Sequence, residues 1–142
     1  MAACIFCKII EGSLPSSKVY EDDVCVAFMD IQPVNPGHVL VVPKAHSTDL
    51  SDLPADTGAH LFQVAQRIAL HMPETNVKCE GINLLLAHRE AAGQDVFHVH
   101  FHVIPRYKGD HFELKFGPAY NSLPERAELD SIAIKIKGQL EQ

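Results

Sequence analysis

The sequence predicts an α+β domain: a mainly antiparallel, five-stranded sheet with one long helix and short flanking helices. Two observations carry this. Short apolar or alternating runs follow one another with tight turns between them, as antiparallel strands do. The strongest helical period interrupts these strands once, whereas a βαβ-wound parallel sheet needs helices between successive strands. At 142 residues and 46% apolar content, the chain suits one domain over residues 1–142 with a real core.

The elements follow in order. Residues 5–11 form a short amphipathic helix that Gly12 caps and Pro15 keeps from continuing. Residues 18–21 and 24–29 read as two strands around an Asp22-Asp23 turn. Pro33, Pro36 and Gly37 force an irregular loop. The run HVLVVP over 38–43 is β-branched and apolar, the pattern of a buried strand. Residues 57–72 form the clearest helix, with Leu61, Phe62, Ala65, Ile68, Ala69 and Met72 on one face. Asp56 or Thr57 caps its start and Pro73 ends it. Residues 82–87 and 97–104 are the remaining strands, the second stopped by Pro105. Residues 107–124 have no clear period, and 125–140 form a helix with Leu129, Ile132, Ala133, Ile136 and Leu140 on one side.

The formal charge of −6 argues against general nucleic-acid binding, which needs a basic surface, while leaving room for a small anionic ligand. No apolar run is long enough to span a membrane and no secretory signal opens the sequence, so a cytoplasmic protein is expected. Disulfides are then not expected. Cys25 and Cys79 read as ordinary small residues. Cys4 and Cys7 form C-x-x-C, which is half of a zinc site, a redox pair or two unremarkable thiols. No strand precedes Cys4, which disfavours the redox reading.

The chemistry concentrates in HVHFHVIP. In a strand, alternate side chains share a face, so His98, His100 and His102 point one way and Val99, Phe101 and Val103 the other. Neighbouring histidines are then roughly 6.5 Å apart at Cα. Imidazole near neutral pH serves as nucleophile, acid–base group or metal ligand. A solvated polar stripe would more readily use Lys, Glu or Thr. His60 and His71 lie off the apolar helix face and read as solvated, His111 has no partner in the pattern, and His38 either caps its strand or supports the triad.

HVHFHVI resembles the signature of the histidine-triad (HIT) family. The opening CIFCKIIEG, the segment AFMDIQPVNPGHVLVVPKAH and the stretch AAGQDVF before the triad are similar too, in the family's order from Cys4 to Arg106. The likeness is to small zinc-binding hydrolases of the nucleoside-phosphoramidase type. It implies cleavage of purine nucleoside 5'-phosphoramidates, with an AMP or GMP moiety bound and His100 as nucleophile through a nucleotidyl-histidine intermediate. The alternatives are a dinucleoside polyphosphate hydrolase or phosphorylase, or a nucleotide-binding regulator. The resemblance further implies that His102 contacts the phosphate, with Gly93 and Gln94 in the adjoining loop. Asp95 stands where several relatives carry Ser or Thr. It implies a base pocket at Ile5, Phe6, Ile9, Phe28 and Ile31, although the residues alone favour plain core for these five. Asp30 matches the ribose-binding carboxylate. Ala87 replaces an amide residue of relatives, and His88 and Arg89 are the neighbours able to compensate. The zinc ligands implied are Cys4, Cys7, His46 and His98, a closed structural set. A homodimer with a joined sheet is implied as well.

Overall fold

The computed structural model describes residues 4–141. The chain divides into two compact units, one ending at His111 and the other beginning at Phe112.

The first unit holds the sheet. Helix α1 (Ile5–Glu11) ends at Gly12, whose φ of +89° is left-handed and whose N–H returns to the Ile9 carbonyl. Strands β1 (Lys18–Glu21) and β2 (Cys25–Met29) form an antiparallel hairpin. Asp22 closes it, its Oδ1 accepting from Val24 N and Cys25 N at 2.8 Å each. Strand β3 (Val39–Pro43) is buried at every position, as its β-branched run anticipates. Helix α2 (Ala55–His71) and a 3₁₀ turn (Met72–Thr75) lead to β4 (Gly81–Leu85), and a second 3₁₀ turn (Glu90–Ala92) precedes β5 (Phe101–Arg106). All pairings are antiparallel in the order β1-β2-β3-β5-β4, so β5 inserts between β3 and β4.

The two-residue period of the strands divides the core. Cys25, Ala27, Val39, Val41, Val99 and Val103 pack with Leu61, Val64 and Ala65 of α2. Val26, Phe28, Leu40 and Val42 face the other way, toward Phe6 of α1. His98 and His100 lie on this second side, both edge-on to Phe6.

Three boundaries differ from expectation. Helix α2 starts at Ala55 with Pro54 in the cap position and no side-chain cap. Pro54 has a helix-compatible φ but no side-chain oxygen to offer the amides of the first turn. The Asp56 carboxylate instead accepts from Thr57 N at 2.9 Å. Strand β4 stops at Leu85, two residues early. Strand β5 begins at Phe101 and runs through Pro105, so residues 97–100 are outside the ladder. Their groups are bound elsewhere: Val99 N donates to the Ser47 carbonyl, and the Pro43 carbonyl at the end of β3 accepts from His98 Nε2. His60 is also not simply solvated, since its Nε2 lies 2.7 Å from Asp22 Oδ2 and pins α2 to the hairpin. On α2, Phe62 stays 46% exposed, while Val64, outside the expected face, is buried.

The second unit contains stacked Phe116 and Tyr120 rings, with centroids 4.0 Å apart, and α3 (Arg126–Leu140), which has no buried residue. Among the described residues no helix is long and apolar enough to cross a membrane.

Gly37 offers a test of the packing. Its φ is +100°, and a Cβ there would approach Val77 Cγ1 to 2.7 Å. Gly12 has a similar φ but open space around it. Gly12→Ala should therefore cost about 1 kcal/mol in backbone strain. Gly37→Ala should cost about 1–3 kcal/mol more, because overpacking adds to the strain. Urea unfolding of both variants measures this, and equal losses would contradict it.

Candidate active site and metal centre

The segment before β5 keeps its alternation even without ladder bonds. His98 and His100 turn to the α1 side and are 0% and 5% exposed. Phe6 of α1 meets both edge-on, at centroid distances of 5.9 and 5.2 Å. The His100 and His102 rings are 5.0 Å apart. The three imidazoles thus sit together, although only His102 belongs to the strand.

Hydrogen-bond partners assign the protons. His100 Nδ1 lies 2.8 Å from the His98 carbonyl. A carbonyl only accepts, so Nδ1 carries the hydrogen and Nε2 keeps its lone pair. His98 Nε2 is likewise 2.8 Å from the Pro43 carbonyl, which leaves its Nδ1 lone pair free. For His102 the assignment passes through a second histidine. Val34 N donates to His38 Nδ1 at 3.0 Å. His38 Nε2 then holds its hydrogen and donates to His102 Nδ1 at 2.9 Å. His102 is left as an Nε2–H donor. Burial, with the nearby His100 and His38, pushes the His102 pKa down to about 4, so the neutral donor form persists at pH 7. Burial lowers His38 and His98 as well. His38 is the partner whose role the sequence left open. Its place after Pro36-Gly37, at the head of β3, was the available signal.

A cavity of about 430 Å³ opens beside these rings, a size ordinary for small-molecule sites. Ile5, Phe6, Ile9, Phe28 and Ile31 form apolar wall, joined by Asp30, Asp95, His100 and His102. Core and pocket are not exclusive here, since Phe6 and Phe28 are buried in the core cluster and also line the cavity. Asp30 Oδ2 is 3.5 Å from His38 Nε2, and Asp95 Oδ1 is 3.5 Å from His100 Nε2. Leu14, Ser16 and Gln32 also line the wall and carried no signal in the sequence.

Gly93 and Gln94 are not in that wall. Gly93, at φ +94°, closes the 3₁₀ turn with its N–H on the Glu90 carbonyl. Gln94 is 3% exposed and its amide is fully engaged. It accepts from Arg89 N and donates to the Thr48 and Val96 carbonyls at 2.7, 2.7 and 3.1 Å. It braces the loop that carries Asp95. Ala87, His88 and Arg89 are outside the wall too. His88 Nδ1 accepts from Leu50 N, and Arg89 Nε is 3.4 Å from Asp49.

The other side of His98 meets α1. Cys4 caps that helix, with its sulfur accepting from Cys7 N at 3.4 Å, so both thiols face one way. His98 Nδ1 is 3.4 Å from Cys4 Sγ and 3.6 Å from Cys7 Sγ. His46 Nδ1 is 3.3 Å from Cys7 Sγ and 3.1 Å from His98 Nδ1. All four ligand atoms lie within 4.8 Å of one another. A tetrahedral ion with bonds of about 2.0 Å to nitrogen and 2.3 Å to sulfur has edges of roughly 3.3–3.8 Å, so the four residues fit a metal ion.

Comparisons with known proteins agree with this architecture. An uncharacterized HIT-like protein of Borreliella burgdorferi is 44% identical over 137 residues, covering 96% of this chain and 99% of its own. The adenosine 5'-monophosphoramidase HNT1 of Saccharomyces cerevisiae is 43% identical over 105 residues, 74% of this chain and 63% of that one. The solved structure of a Zn-bound histidine triad family protein from Mycobacterium smegmatis aligns with a TM-score of 0.76 at 36% identity, covering 99% and 96% of the two chains. The HIT domain matches residues 11–109, most of the sheet-bearing unit. The chain therefore belongs to the histidine-triad family.

Proposed function

We propose that the protein hydrolyses purine nucleoside 5'-phosphoramidates through a nucleotidyl-histidine intermediate on His100. The observation that carries this reading is the protonation pattern of one ring. With Nδ1–H held by the His98 carbonyl, His100 Nε2 offers a lone pair at the cavity wall.

In the first step Nε2 attacks the α-phosphorus. The P–Nε2 bond forms and the P–N bond to the leaving group breaks. The amine departs with that electron pair and takes a proton from solvent at the open side. In the second step water attacks phosphorus, the P–Nε2 bond breaks, and its electron pair returns to the ring. The nucleoside monophosphate leaves, and the proton of the attacking water passes to solvent. His102 Nε2–H donates to a phosphoryl oxygen as charge builds there. Asp30 accepts from the ribose hydroxyls, and Ile5, Phe6, Ile9, Phe28 and Ile31 hold the base. Gly93 and Gln94 act by shaping the loop beside the phosphate. The related activity of the yeast monophosphoramidase supports the substrate class.

Cys4, Cys7, His46 and His98 would hold a structural zinc ion. A closed set leaves no position for substrate, so zinc would fix the orientation of His98 and tie α1 to the catalytic segment. Four reduced cysteines suit the cytoplasm.

Two measurements check these assignments. His100→Ala should lower turnover of an adenosine phosphoramidate at least about 1,000-fold while AMP still binds, and near-normal turnover would exclude His100 as nucleophile. Elemental analysis of protein purified without chelator should find about one zinc per chain, reduced by Cys7→Ser. Metal-free protein with both thiols freely titratable would rule the site out.

A further inference from the structure

We infer that the protein has a second ligand site, on the α2 side of the sheet, that takes a small apolar monocarboxylate.

A cavity of about 360 Å³ lies between α2 and strands β1 to β3, at the small end of the range for small-molecule sites. It is separate from the cavity beside the histidines. Successive side chains of β3 point to opposite faces, and Val39 lines this cavity while Leu40 lines the other. Val64 and Ile68 of α2, with Met72 and Val77 beyond it, supply apolar wall.

The walls are braced. Tyr20 contributes from β1, and its hydroxyl donates to Asp22 Oδ2 at 2.7 Å. His60 Nε2 on α2 lies 2.7 Å from the same oxygen. One carboxylate thus holds the β1 wall relative to the helix. At Gly37 the left-handed backbone meets the end of the cavity in close packing, where a Cβ would fall 2.7 Å from Val77 Cγ1 and 3.5 Å from Met72 Sδ. Empty apolar space forfeits dispersion contacts that a ligand would restore, and walls already held in place add little ordering cost to binding.

Charge selects the head group. The described lining residues include no Asp or Glu, and Arg67 and His71 are the basic ones. Arg67 is exposed, and its guanidinium lies over the Tyr20 ring, 5.8 Å from the centroid. Among the described residues it has no carboxylate partner. His71 Nδ1 is 3.2 Å from Glu74 Oε2, so any charge on that ring is already balanced. A single uncompensated cation at the solvent edge of an apolar cavity suits a monoanion. The planar guanidinium matches a carboxylate in two parallel hydrogen bonds. An ammonium head would be repelled.

The test titrates octanoate and octylamine separately into the full chain at low salt, with methyl NMR as the readout. Octanoate should bind with a Kd of about 0.1–1 mM. It should shift the methyls of Val39, Val64, Ile68 and Met72 and leave those of Ile5, Ile9 and Ile31, in the other cavity, unmoved. Met29 lines both cavities and so does not discriminate between them. Octylamine should bind at least about 5-fold more weakly. Arg67→Glu, at an exposed position, should invert that order, and Arg67→Gln should erase it. Failure of octanoate to bind overturns the proposal, as does equal affinity for the two compounds or a preference that neither Arg67 variant changes. Shifts confined to Ile5, Ile9 and Ile31 would also overturn it, because octanoate would then occupy the cavity beside the histidines.

Discussion

The hydrogen bond from His98 Nε2 to the Pro43 carbonyl, 2.8 Å long, organises the site. Strand β3 ends at Pro43, and the carbonyl there is satisfied by an imidazole rather than by a neighbouring strand. Three consequences follow. Residues 98–100 stay off the β3 ladder, which leaves the His98 carbonyl available to His100 Nδ1. The free Nδ1 of His98 turns to the thiols of α1. The buried carbonyl of Pro43 is not left unpaired, a loss worth about 1–3 kcal/mol. One side chain therefore connects the end of a strand, a helix cap and the ring that faces the cavity.

The same side of the sheet solves a second problem, how to bury several imidazoles together. Burial lowers the pKa of His38, His98 and His102, and hydrogen-bond partners give each a fixed role. His38 accepts from the Val34 amide and donates to His102, so a backbone N–H determines which nitrogen of His102 bears hydrogen. Neutral rings suit both tasks: a nucleophile needs its lone pair, and a ligand must be deprotonated to bind a metal. Burial first, and then the neighbouring His100 and His38, push the His102 pKa down to about 4.

Much of this was legible in the sequence, for identifiable reasons. Strands β1 to β3 and helix α2 have strong periods or hard turn residues, and their positions hold to within a few residues. Alternation in HVHFHVIP correctly assigned the two faces because extended backbone alternates whether or not it is paired. It could not reveal that pairing starts only at Phe101, since that depends on the Ser47 and Pro43 carbonyls far along the chain. Pro105 read as a stop signal, yet its carbonyl accepts from Asn35 Nδ2 and the residue pairs with Ile82 within β5. Cys4, Cys7, His46 and His98 converge in the structure; the C-x-x-C spacing pointed to the two thiols alone, and the family resemblance supplied the two histidines. The wall at Leu14, Ser16 and Gln32 was invisible because nothing local distinguishes a loop residue that borders a cavity.

The assigned protons are the centre of this account, and imidazole ¹⁵N resonances report them directly. In the zinc-loaded full chain at pH 7, His100 should appear as the neutral Nδ1–H tautomer with a bare Nε2. His102 should appear as the neutral Nε2–H tautomer. A His100 ring protonated on Nε2 with Nδ1 bare would contradict the account, because the nitrogen facing Asp95 would then have no lone pair for phosphorus.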